Sequence, residues 1–167
     1  EDEITNISKE SKKFIRNKIK GYKYGFFEPY ELGKKNIQFN FHGGAEWAGA
    51  SLNINNGFMY VTASNIPWET EVISVKEKNS YYSYISKFKR LLDQNNYPGS
   101  KPPWGTLTAI DLNSGKIKWQ IPFGEYKELK EKGIPTTGTE NYSGVTGTSA
   151  ELLLATGTLD KKFRIFD

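Results

Sequence analysis

The sequence predicts an all-β protein built from consecutive antiparallel hairpins, with short helices confined to its lead-in and insertions. Three observations carry this. From Asn36 onward apolar residues recur at every second position in short runs, the spacing of a strand with one face buried. Clusters of Asn, Ser and Gly break those runs at hairpin spacing. The 16 Gly, 7 Pro and 14% aromatic content of the 167 residues favour tight turns and short strands over helix bundles.

Residues 1–36 read as a polar lead-in with one helix, capped by Thr5 or Ser8, striped by Phe14, Ile15 and Ile19, and ended by Gly21 and Gly25. Tyr24 to Leu32 follows as an aromatic loop broken by Pro29. Ile37, Phe39 and Phe41 then alternate with Gln38 and Asn40 as a strand, which His42-Gly43-Gly44 interrupts. Trp47 to Leu52 is a second, small-residue strand, Asn53 to Gly57 a turn, and Phe58 to Thr62 a third strand. Residues 65–103 are polar and irregular, an insertion between strands with a short helix expected near Tyr82 to Leu92. Thr106 to Leu112 and Lys116 to Pro122 form a hairpin around Asn113-Ser114-Gly115. A helical loop (Glu125 to Lys132) leads to strands at Glu151 to Thr156 and Lys162 to Asp167.

Composition narrows the chemistry. The chain has no Cys, which excludes disulfides, thiolate zinc sites, Cys nucleophiles and covalently attached c-type haem within it. The formal charge of +4 is mild, and the Lys clusters at Lys9 to Lys23 and Lys87 to Arg90 read as solvated helix faces, too sparse for a nucleic-acid footprint. No stretch approaches the roughly 18 apolar residues of a membrane span.

The two late segments repeat. Phe163-Arg164-Ile165-Phe166-Asp167 lies over Leu107-Thr108-Ala109-Ile110-Asp111, and Asp111 is followed by Gly115-Lys116 and Trp119. The Gly permits a tight turn, the Asp caps turn amides, and the Trp packs on a sheet. A four-stranded antiparallel sheet repeated with this motif is a propeller blade. Glu46–Leu52, Phe58–Ser64, Gly105–Leu112 and Lys116–Pro122 make one such blade, and residues from Tyr142 onward give three strands of the next. The expectation is therefore a partial β-propeller over residues 37–167, with 65–103 inserted. The start at Glu1 and the absence of a final Gly-Lys-x-x-Trp hairpin suggest an excerpt of a larger protein, incomplete as an enzyme by itself, with an open sheet edge.

Gly43-Gly44-Ala45-Glu46-Trp47-Ala48-Gly49-Ala50, Lys101-Pro102-Pro103-Trp104-Gly105-Thr106-Leu107-Thr108-Ala109-Ile110-Asp111-Leu112, Gly138-Thr139-Glu140-Asn141-Tyr142 and Lys162-Phe163-Arg164 occur in an order that resembles the C-terminal portion of PQQ-dependent dehydrogenases, in particular their glucose dehydrogenase-like branch. The resemblance implies an eight-bladed periplasmic propeller with pyrroloquinoline quinone (PQQ) and Ca²⁺ near its axis. It further implies oxidation of a sugar or alcohol, hydride transfer to the quinone, and a respiratory-chain electron acceptor. The family's catalytic Asp, its main metal ligands and its quinone-contacting Lys lie on earlier blades, so no catalytic or metal-binding residue is expected in this chain. Some relatives carry a haem-binding Cys-x-x-Cys-His insertion where this chain has 65–103, without Cys.

Four residues are candidate cofactor contacts by that resemblance. Glu46 occupies a position where relatives place a polar residue against the quinone; a Glu bonded to turn amides is the alternative. Trp47 is a second contact or a core Trp. Asn141 and Tyr142 open the innermost strand of the following blade, where Tyr142 meets the quinone edge through its ring or its hydroxyl and Asn141 contacts the quinone or caps the loop. His42, Glu140, Asp111 and Asp160 read as turn and strand-end residues, and Trp104 and Trp119 as blade-to-blade packing. The rival function is a non-catalytic β-propeller scaffold of the outer-membrane assembly type, which shares Gly-Lys-x-x-Trp but does not require Gly-Gly-Ala-Glu-Trp or Lys-Pro-Pro-Trp-Gly.

Overall fold

A computed structural model describes residues 2–25, 27–45, 47–76 and 81–167. In chain order the elements are α1 (Lys9–Lys18), β1 (Lys23–Tyr24), β2 (Lys35–Phe39), β3 (Ser51–Asn53), β4 (Phe58–Ser64), β5 (Pro67–Ser74), β6 (Tyr84–Arg90), β7 (Gly105–Asp111), β8 (Lys116–Pro122), α2 (Lys127–Glu131), β9 (Val145–Gly147), β10 (Leu153–Ala155) and β11 (Arg164–Phe166). They fall into two compact units, Glu1–Phe41 with Ile66–Lys101 and His42–Asn65 with Pro102–Asp167.

In the first unit, Ser8 is the cap of α1: its Oγ accepts from the Ser11 amide at 3.0 Å. Ile15 is fully buried, whereas Phe14 stays 40% exposed, so the helix buries a narrower stripe than its apolar spacing suggests. Ser11 Oγ donates to Asp93 Oδ2 at 2.5 Å, and Lys18 Nζ donates to the Leu92 carbonyl at 3.0 Å, which ties the helix to the segment after β6. The sheet has the order β1-β2-β5-β6, antiparallel except for the β1–β2 pair.

Here the structure corrects the reading of 65–103. Tyr82 to Leu92 is not a helix; it contains β6, paired with β5 from Trp68–Arg90 to Ser74–Tyr84. Side-chain pairs across the ladder account for this. The Arg90 guanidinium lies 4.9 Å from the Trp68 ring centroid, and Phe88 contacts both Trp68 and Phe41. The cluster Lys87 to Arg90 therefore sits on a strand and not on a solvated helix face. Lead-in, first alternating strand and insertion together form one sheet, because β2 pairs along its whole length with β5.

Glu69 of β5 is the charged centre of this unit. It is 3% exposed and lies 3.0 Å from Lys18 Nζ, 3.7 Å from Lys35 Nζ and 3.8 Å from Lys89 Nζ, while Tyr22 Oη donates to its Oε2 at 3.0 Å. Burial pushes its carboxyl up, but the bonds from Lys18 and Tyr22 and the Lys18 and Lys89 charges outweigh burial and hold it below the usual range.

The second unit carries the predicted blade. Its four-stranded antiparallel sheet has the order β3-β4-β7-β8, with β4 and β7 in unbroken register from Phe58–Asp111 to Ser64–Gly105. The β7–β8 turn falls at Asn113-Ser114-Gly115, where Asp111 Oδ1 accepts from the Asn113 amide at 2.9 Å. A three-stranded antiparallel sheet, β11-β10-β9, follows. Tyr60, Leu107 and Ala109 of the first sheet and Val145, Leu153 and Ala155 of the second share one core with Phe123, and Trp119 packs against it. Trp104 is fully buried, its ring edge-to-face with Tyr126 at 5.5 Å.

One strand is much shorter than expected. The ladder of β3 with β4 covers only Ser51–Tyr60 to Asn53–Phe58. Continued without a break it would set Ala63 opposite Ala48, but Ala63 bridges Ala45, so three residues are looped out. Small residues at Ala48, Gly49 and Ala50 allow the excursion.

Candidate functional site

The excursion decides the position of Trp47. Its indole is 94% exposed, so it is neither a core Trp nor part of a strand. Glu46 lies outside the described residues. His42 falls in the turn that precedes the glycine pair.

Asn141 and Tyr142 meet the first sheet at the same corner. The Ser64 amide donates to the Gly44 carbonyl at 2.8 Å, and Ala45 bridges Ala63. Asn141 Nδ2 then donates to the Ala63 carbonyl at 3.1 Å. Ser64 Oγ makes a reciprocal clamp on the Asn141 backbone, donating to its carbonyl and accepting from its amide, each at 3.0 Å. The start of the first sheet's edge segment, the end of β4 and the start of the next sheet are thereby fastened together at Ala45, Ala63, Ser64 and Asn141.

Asn141 is fully buried, and among the described residues its Oδ1 has no hydrogen-bond partner. A buried acceptor left unpaired costs about 1–3 kcal/mol, so the site calls for a donor that the described residues do not supply. With Nδ2 committed to Ala63, the side-chain amide has one orientation and Oδ1 one direction. Beside it, Tyr142 Oη donates to Glu140 Oε1 at 2.5 Å; Glu140 is 6% exposed and the Tyr142 side of the pair 42%. Among the described residues no group of three or more His, Asp or Glu side chains is arranged to hold a metal ion.

Sequence reasoning missed two residues here. Ser64 looked like an ordinary strand end, and nothing in its neighbourhood announces the clamp, which joins positions 77 residues apart. Glu140 was expected to be a turn residue, although its spacing of two from Tyr142 on an extended segment places both side chains on one side.

Close backbone approach secures the corner. A Cβ on Gly105 would stand 1.9 Å from the Thr139 carbonyl oxygen, and one on Gly138, where φ is +68°, would stand 2.1 Å from the Gly105 oxygen. Only glycine at both positions lets these two backbones pass.

Successive antiparallel sheets that share one core and meet at their strand starts define a β-propeller segment. The whole chain, residues 1–167, matches the family described as PQQ: glucose/ethanol/alcohol dehydrogenase, beta-propeller domain. The chain belongs to this PQQ-dependent dehydrogenase family. It is 30% identical over 128 residues to a probable quinate dehydrogenase (quinone) of Xanthomonas campestris pv. juglandis, covering 74% of this chain and 14% of that protein. It is 24% identical over 206 aligned positions to a glycerol dehydrogenase large subunit of Gluconobacter thailandicus, covering all of this chain and 27% of that protein. The chain thus spans about a quarter or less of the length of these relatives.

Proposed function

We propose that this chain forms part of the quinone-binding wall of a PQQ-dependent dehydrogenase acting on a small polyhydroxylated substrate, a sugar or alcohol. The observation that carries the proposal is the buried, unpartnered Oδ1 of Asn141 at the corner where two sheets start. It fits a flat cofactor rich in carbonyl and carboxylate acceptors that also has a pyrrole N–H to donate. Bound, the quinone supplies a two-electron centre that accepts a hydride. This chain's own part is to hold Asn141 rigid through Ser64 and Ala63 and to offer Tyr142 alongside. Glu46 and Trp47 are proposed as further contacts from the resemblance of the Gly43 to Ala50 segment to the family; Trp47 follows closely on Ala45, which bridges Ala63 at this corner.

The relatives are named for quinate and for glycerol, which supports a hydroxylated substrate without choosing one. For the whole protein we further propose Ca²⁺ held by residues outside this chain, a periplasmic location and a respiratory-chain electron acceptor. The test is to purify the intact gene product without cofactor, add PQQ with Ca²⁺, and assay dye reduction with glucose, glycerol and quinate. Turnover of at least one that depends on PQQ supports the proposal. No quinone binding and no turnover with any of them would favour the non-catalytic scaffold.

A further inference from the structure

We infer that Glu140 is a positioning residue that ties back the Tyr142 hydroxyl, so that Tyr142 meets the bound quinone with its ring and not with a hydrogen-bond donor. The inference rests on the quinone-wall reading above and adds to it a residue and a mode of contact.

The Tyr142 Oη to Glu140 Oε1 distance of 2.5 Å is that of a short hydrogen bond to a carboxylate, the stronger kind. Its two ends are unequally placed. The Glu140 carboxylate is buried, whereas Tyr142 keeps 42% of its surface exposed, so the bond directs the hydroxyl toward the protein and leaves ring surface outward. The backbone between them is fixed as well. Asn141 is held by Ser64 at both amide and carbonyl and by Ala63 at its side chain, and Thr139 Oγ1 donates to the Glu140 carbonyl at 3.1 Å. A tether on a rigid backbone stops the ring from rotating about its side-chain torsions. A flat conjugated ligand gains most from an aromatic ring already held at one angle.

The experiment is a double-mutant cycle on the intact gene product, with PQQ affinity read by quenching of intrinsic fluorescence and not by turnover. Glu140→Ala and Tyr142→Phe each remove the tether, and each is expected to weaken quinone binding about threefold, the scale of ordering one side chain anew on binding. The double variant is expected to be about threefold weaker as well, since the tether can be lost only once. Glu140→Gln retains an acceptor oxygen and is expected to restore binding to near the wild-type level. Tyr142→Ala, which removes the ring, is expected to weaken it about tenfold or more.

Two results would overturn the inference. If Tyr142→Phe weakens binding while Glu140→Ala leaves it unchanged, the hydroxyl itself contacts the quinone. If the two effects multiply in the double variant, Glu140 acts independently of Tyr142. Absence of quinone binding by the wild-type protein overturns the quinone-wall reading instead, and so the two failures are distinguishable.

Discussion

Replacing Gly105 by Ala is the sharpest single perturbation of the corner that holds Asn141. The added Cβ would lie 1.9 Å from the Thr139 oxygen and 2.8 Å from the Phe123 oxygen, both backbone atoms. Restoring an ordinary carbon–oxygen contact requires the strands to part by about 1 Å, because neither obstacle can rotate away. Three bonds cross this strip: the Trp104 amide to the Thr137 carbonyl at 2.7 Å, the Phe123 amide to the Gly105 carbonyl at 2.8 Å, and the Thr139 amide to the Phe123 carbonyl at 2.9 Å. An opening of that size carries at least two of them beyond hydrogen-bond reach in a buried setting. Two net bonds plus the desolvation of the orphaned groups come to about 3–4 kcal/mol. Amide hydrogen exchange of the intact protein is the assay. Protection of the Trp104 and Thr139 amides is expected to fall by roughly two to three powers of ten. The control is Gly115→Ala in the β7–β8 turn, where φ is +69° and nothing lies within 4 Å of the added carbon. It is expected to cost only about 1 kcal/mol, the ordinary penalty for a side chain in that conformation. Equal loss of protection in the two variants would refute the close-approach reasoning.

The remaining predictions concern the interior charges and two tryptophans. Because the folded-state pKa of Glu69 is depressed, its contribution is full above its unfolded value of 4.5 and is lost as pH falls through the folded value. Glu69→Gln is expected to destabilise the first unit by about 2 kcal/mol at neutral pH, below the usual cost of breaking a buried pair because its lysines can return to water. Urea unfolding at neutral and acid pH checks this, since the difference between the two proteins must shrink on acidification. Asp160 has its carboxyl at about 2: burial pushes it up, but the bonds from Arg164, from Thr158 Oγ1 at 2.5 Å and from the Lys162 amide at 3.3 Å, with the Arg164 charge, outweigh burial. Its contribution is therefore expected to persist below pH 4, visible as an NMR titration that stays flat through the normal Asp range. Trp104→Ala, which empties a fully buried site, is expected to cost about 3–5 kcal/mol, against under about 0.5 kcal/mol for Trp47→Ala at a 94% exposed indole. Thermal unfolding midpoints of the two variants compare them directly.

Membership of the PQQ-dependent dehydrogenase family gives the corner its proposed meaning. Most of what it presents is rigid: an amide clamped by Ser64 and Ala63, and a phenol tethered to a carboxylate. Rigidity of this kind suits the proposed quinone-binding wall, which would orient a flat cofactor.

Local signals made the blade legible. The β4, β7 and β8 strands follow the alternation of their residues, the hairpin turns where Asn113-Ser114-Gly115 stands, and Ser8 caps α1, each a consequence of neighbours within a few positions. The family's motif order also singled out Asn141 and Tyr142 as candidate quinone contacts, the role proposed for them above. Tertiary structure decided the rest, for identifiable reasons. Every residue of β6 is exposed, so burial imposed no alternation on its sequence, and only pairing with β5 makes it a strand. The three-residue excursion before β3 sends Trp47 to solvent because Ala63 pairs with Ala45, a choice of register that no residue in the excursion encodes. The unpartnered Oδ1 of Asn141 and the tethering of Tyr142 depend on Ser64, Ala63 and Glu140. Of these, Ser64 and Ala63 come from a strand some 77 residues earlier, brought beside Asn141 only by the folding of one sheet against the next.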